Sequence, residues 1–184
     1  MATEIENLKR QFLEHLEIEK GSSVNTVDNY KRYLERFFEF SKIKNAKDIT
    51  DSVVREFRLY LNRQASGNNR ATGETLKKKT QNYYLIGLRG FLKYLAKNKI
   101  ESLPAERIEL AKVSERHLDL VSEEELARLL KAPEGNDLKS IRDRAILQLL
   151  FSTGLRVSEL CSLTRDLNFN SGEFSIRGKG GKVR

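Results

Sequence analysis

The chain has 184 residues, 39% of them apolar, and carries 34 Lys and Arg against 26 Asp and Glu, a net charge of +8. Such a length holds one large domain or two small ones with buried cores, and such a charge makes a polyanion such as nucleic acid the natural partner to weigh. A single cysteine, Cys161, excludes an internal disulfide and suits a reducing cytoplasm; no apolar run is long enough for a membrane span, and the opening MATEIENLKRQ lacks the basic-then-apolar pattern of a signal peptide.

From Glu4 to Lys20, the positions Ile5, Leu8, Phe12 and Leu16 recur every three to four residues and predict an amphipathic helix ended at Gly21. Ser22 or Ser23 then caps a second helix, with Val24, Val27, Tyr30, Leu34, Phe37 and Phe38 as its buried stripe up to about Phe40. Thr50 or Asp51 caps a third, with Val53 or Val54, Phe57 and Leu61 as its core face. Small and polar residues from Ala65 to Gly73 predict a loop. The longest helix runs from Glu74 or Thr75 to Lys97 and turns Tyr84, Leu85, Leu88, Phe91, Leu92 and Leu95 inward, completing a four-helix unit over residues 1–97.

Lys77, Lys78 and Lys79 at the start of that helix, with Thr80, Asn82, Arg89 and Lys93 further along, offer charge and donors to phosphate oxygens. A lysine run at a helix start also reads as a solvated face. It opposes the helix dipole, and a phosphate docked beside it would relieve that mismatch. Residues 98–120, with Pro104 and little clear period, read as a linker.

A second unit spans residues 121–184. Ser122 and Glu125 form a capping box ahead of Leu126, Leu129 and Leu130. Ile141, Ala145, Ile146, Leu149 and Leu150 predict a helix with one broad buried stripe, closed by Gly154. A short helix, RVSELCSL, restarts at Arg156. The Arg156 fork at its mouth can point toward an anion, Glu159 lies one turn along to hold it, Val157, Leu160 and Leu163 pack inward, and Cys161 lies on the apolar face. Glu173 to Ile176 followed by GKGGKVR reads as a strand, a glycine-rich turn and the start of a second strand, with Lys179 on the tip. The turn is not a nucleotide phosphate loop, because the G-x4-GK-[ST] spacing fails and no helix follows.

TGLRVSEL followed by RGKGGK resembles the catalytic segment of the tyrosine site-specific recombinases, in the Xer-type and phage-integrase branch. SVNTVDNYKRYLERFFEF and KTQNYYLIGLRGFLKYL are similar to two helices of that family's SAM-like core-binding domain. The resemblance implies a mostly α chain: a four-helix core-binding domain, a linker, then a truncated α+β catalytic domain ending in a β-hairpin. It implies strand cleavage and rejoining through a phosphotyrosyl bond. Arg156 would stabilise the transition state, Lys179 would protonate the leaving oxygen with Lys182 as the alternative, and Glu159 would support the site. Thr26, Tyr30, Lys79, Thr80, Asn82 and Arg89 fall in its DNA-facing regions. The implied partner is double-stranded DNA, gripped by a tetramer in the cytoplasm, with no membrane, metal or other cofactor.

In that family an H-x-x-R motif and the nucleophilic tyrosine follow the hairpin. Here His15, His117 and all six tyrosines precede Arg156. The expectation is an N-terminal fragment of a recombinase that binds DNA without cutting it. The alternative is a non-catalytic DNA-binding module that regulates or competes at recombination sites.

Overall fold

The computed structural model describes residues 3–65, 75–114, 119–164, 166–167, 172–178 and 181–183. Two compact units divide the chain, Met1–Glu115 and Arg116–Arg184. Among the described residues no helix is long and apolar enough to cross a membrane.

The first unit is helical. Helix α1 (Glu4–Ile18) opens on a capping box in which the Thr3 hydroxyl accepts from the Glu6 N–H and the Glu6 carboxylate accepts from the Thr3 N–H. These contacts satisfy donors that the first helical turn leaves free. Helix α2 (Val24–Ser41) follows with Ser23 as its N-cap, although the Ser23 hydroxyl pairs with that of Thr26 rather than with backbone. Val24 is 68% exposed, so the buried stripe of α2 starts one turn later than its sequence suggests. Thr50 caps helix α3 (Asp51–Arg63). Helix α4 (Lys78–Lys97) begins three residues after Thr75, and its N-cap is Lys77, a residue with no side-chain oxygen to cap it. Most of the expected loop, residues 66–74, lies outside the described residues.

The core these helices enclose is aromatic at its centre. Phe37, Phe57 and Phe91 are wholly buried together with Leu34, Leu61, Leu88, Leu92 and Leu95, each such side chain contributing about 1.5–3 kcal/mol. Helices α2 and α4 cross where α4 has glycine. A Cβ on Gly87 would stand 2.9 Å from Tyr33 Cβ, and one on Gly90 would stand 3.0 Å from Tyr30 Cε1. The missing side chains are the seats of the two tyrosines. Arg36 ties α2 to α4 and to the end of α3, donating to the Tyr84 hydroxyl and to Gln64 Oε1. Burial alone would lower its pKa, but its contacts with Tyr84 and Tyr60 outweigh that and hold it above the usual arginine value.

The expected linker is packed at its start. Ala105 and Ile108 are buried in the first core, 3% and 1% exposed, and Ile100 and Leu103 pack against it. Arg107 adds a two-pronged ion pair to Asp51 at the start of α3. Apolar residues spaced too irregularly to announce a helix still fill a groove, here through a 3-10 turn at Ala105–Arg107.

In the second unit, α5 (Glu123–Lys131) carries the expected Ser122–Glu125 capping box. Asp137 caps α6 (Leu138–Thr153), and Gly154 ends it in the left-handed conformation, φ +62°, its N–H donating to the Leu150 carbonyl. A four-residue helix, α7 (Val157–Leu160), follows. The expected buried stripe is absent: no residue of α5 or α6 is buried, and Ile141 is 51% exposed. Leu138, Ile141, Ile146, Leu147, Leu149, Leu150 and Phe151 encircle α6 rather than lining one side, and neighbours on one side cannot cover such a helix. Val157 is 69% exposed and Cys161 is exposed, so neither packs in a core.

No named strand occurs among the described residues. Where the hairpin is expected there is an isolated antiparallel bridge between Arg177 and Val183, with the Gly178 N–H donating to the Lys182 carbonyl at 2.7 Å.

Candidate nucleic-acid interface and phosphate site

On α4, positions 79, 83, 86, 93 and 97 recur at helical spacing on one exposed stripe, which Tyr30 of α2 interrupts at Gly90. Lys79, Lys93 and Lys97 are exposed there, as are Lys77 and Lys78 at the start of the helix. Five ammonium groups on one helix make a positive track matched to a phosphate backbone. Thr80 is half-buried beside them. Tyr83 and Ile86, which sequence reasoning passed over, are 42% and 39% exposed on the same stripe. Their signal was available in the helical spacing, as the apolar positions out of phase with the core.

Other expected contacts fall elsewhere. Asn82 is buried, its amide nitrogen donating to the Ala111 carbonyl at 2.8 Å and its oxygen accepting from the Ala111 N–H at 3.0 Å. It braces the segment after α4. Arg89 is half-buried, with Nε lacking a hydrogen bond among the described residues. Tyr30 is seated over Gly90, edge-on to Phe12 at 5.8 Å, and its ring is a packing element first. Thr26 is half-buried, its hydroxyl 3.0 Å from that of Ser23.

In the second unit the short turn after Gly154 sets Arg156 as the N-cap of α7. Its guanidinium donates to Glu159 Oε1 at 2.9 Å, and its N–H donates to Glu159 Oε2 at 2.8 Å. Arg156 is 61% exposed while Glu159 is 8% exposed, so a buried carboxylate anchors an arginine whose remaining donors face outward. Gly178 permits this arrangement: a Cβ there would stand 3.2 Å from Glu159 Oε1.

Arg156, Ser158, Glu159, Ser162, Arg177 and Gly178 line one cavity of about 310 Å³. The second arginine, Arg177, escaped sequence reasoning because no helical spacing relates it to Arg156. Two guanidiniums and the Ser158 hydroxyl around one concavity can hold a tetrahedral oxyanion, while the Ser162 hydroxyl donates to the Glu159 carbonyl at 2.7 Å. Lys179 lies outside the described residues. Lys182 is exposed. A larger cavity, about 660 Å³, is lined by Thr153, Leu155 and residues 172–176, with Glu173 its one ionisable group among the described residues. Among the described residues it offers no cation for a phosphate.

Comparison with known proteins gives two family matches. Residues 10–99 match the phage integrase N-terminal SAM-like domain, and residues 120–184 match the phage integrase family. The chain is 31% identical to tyrosine recombinase XerD of Halalkalibacterium halodurans over 98% of its own length and 59% of that protein's. It is 30% identical to tyrosine recombinase XerC of Bacillus subtilis over 98% of its own length and 58% of the relative's. The chain thus spans under two thirds of the relatives it matches. Among solved structures it is similar to the crystal structure of XerA recombinase, at 25% identity and a TM-score of 0.42, covering 97% of this chain and 57% of that one.

Proposed function

Because the chain belongs to the phage integrase family of tyrosine recombinases, we propose that it binds double-stranded DNA for site-specific recombination, gripping the backbone along α4 and a phosphate at Arg156. The observation that carries this reading is the Arg156–Glu159 pair beside Arg177 and Gly178. An always-charged fork, held by a buried carboxylate and open on its outer side, neutralises the charge that builds on a phosphoryl group in transit. Glu159 is a positioning residue, fixing the fork before the phosphate arrives.

Lys179 supplies the proton to the leaving oxygen in this reading, with Lys182 the alternative donor from the same turn. Lys77, Lys78, Lys79 and Lys93 contact phosphates, Arg89 and Thr80 flank them, and Thr26 and Tyr30 border the face from α2. The fork needs no metal ion to do its work. In a complete recombinase four such subunits act on paired DNA sites.

All six tyrosines belong to the first unit, where Tyr30, Tyr33, Tyr60, Tyr84 and Tyr94 make ring contacts within the fold. None is assigned as nucleophile. The chain is proposed to bind DNA without forming a covalent adduct, and that same observation favours the second reading, a module that occupies recombination sites without cutting.

The test is a titration of a fluorescently labelled duplex across a salt series. Affinity falling linearly with the logarithm of salt concentration, with no protein–DNA adduct surviving denaturation, is the expected result. Affinity indifferent to salt, or no binding, would refute the proposal.

A further inference from the structure

The apolar pair on the basic stripe of α4 has a geometry of its own. Lone apolar residues on a surface ask for no explanation. Tyr83 and Ile86 are different, since they stand together between Lys79 and Lys93 on one stripe, 42% and 39% exposed. Tyr83 is also held in place from beneath. The Tyr83 ring stacks on Tyr33, 6.5 Å between centroids and 7° from parallel. Tyr33 in turn sits in the gap left by Gly87, with the Arg32 guanidinium 5.8 Å from its ring centroid and Arg32 itself hydrogen-bonded to Asn29 Oδ1 at 2.6 Å. A prebuilt apolar platform loses little side-chain entropy on binding.

The lysines on either side bring phosphates to this helix, and an α-helix so placed fits the major groove. The apolar feature exposed on a base edge in that groove is the thymine C5 methyl group. Resting on the DNA-binding reading above, we infer that Tyr83 and Ile86 determine sequence preference by packing against thymine methyls, while the lysines supply affinity without sequence preference. The α4 stripe therefore divides its labour, cations for the backbone and the Tyr83–Ile86 platform for base identity.

The experiment first enriches a preferred duplex from a randomised pool with the whole chain. Each thymine of that duplex is then replaced by deoxyuridine, which lacks the methyl and keeps every hydrogen-bonding group. The expected result is one or two positions where the replacement weakens wild-type binding about three- to tenfold. At each such position the replacement should no longer weaken binding by whichever variant, Ile86→Ala or Tyr83→Ala, lacks the side chain that meets that methyl, and the salt dependence of both variants should match wild type. Wild-type indifference to every methyl, or a methyl effect that survives both substitutions, would overturn the inference while leaving backbone binding in place. Absence of duplex binding by wild type would overturn the DNA-binding reading itself, and this inference with it.

Discussion

Asn82 occupies the polar edge of α4 with both ends of its amide engaged by one peptide unit, that of Ala111. Asn82→Ala would strand a buried N–H and carbonyl, at a cost of about 1–3 kcal/mol. Chemical denaturation should register that loss, while duplex affinity in folded protein keeps its salt dependence; a normal stability with a flattened salt dependence would make Asn82 a phosphate contact instead. The contrast with Arg156 explains what a sequence discloses at this scale. Arg156 and Glu159 were legible because they lie three residues apart on one short helix, where the partner is fixed by local geometry. Asn82 and Ala111 are 29 residues apart, and Arg177 reaches the Arg156 cavity from a separate segment. Long-range pairings of this kind leave no periodic mark.

At the scale of elements, α4 owes its close approach to α2 to two glycines. Gly87→Ala would place a methyl 2.9 Å from Tyr33 Cβ, forcing the helices apart at a cost of about 1–3 kcal/mol; a thermal midpoint equal to wild type would mean the crossing is looser than its geometry. Helix α6 supplies a test with pH. Hydrogen bonds from the Ser140 side chain and backbone, aided by the Lys139 N–H, hold the Asp137 carboxyl below the usual aspartate range. A lowered folded-state pKa gives stability that is present above the ordinary value of about 3.9 and fades as pH falls through the lowered one. NMR titration should find Asp137 below that ordinary value, with the first turn of α6 loosening as it protonates; an ordinary or raised pKa would remove the cap. The helices of the first unit were legible because each carries a one-sided apolar stripe. Helix α6 misled, since its apolar residues surround it and periodicity alone cannot say which side finds a neighbour. The start of α4 was placed early because nothing at Lys77 marks a cap.

At the scale of the whole molecule the chain separates a well-filled helical unit from a second unit whose chemistry lies at its surface. The sequence suggests a linker over residues 98–120, yet residues through Ile108 belong to the first core, because packing reaches apolar side chains that follow no regular spacing. The central claim is that the basic face of α4 grips the DNA backbone. The most direct test compares the salt dependence of duplex binding for wild type and for a chain with Lys77, Lys78, Lys79 and Arg89 all replaced by Ala. Weaker binding by the variant is expected, with a log–log slope shallower by about 0.9 for each phosphate that it no longer neutralises. An unchanged affinity and slope would contradict the claim and return those side chains to the role of a solvated face.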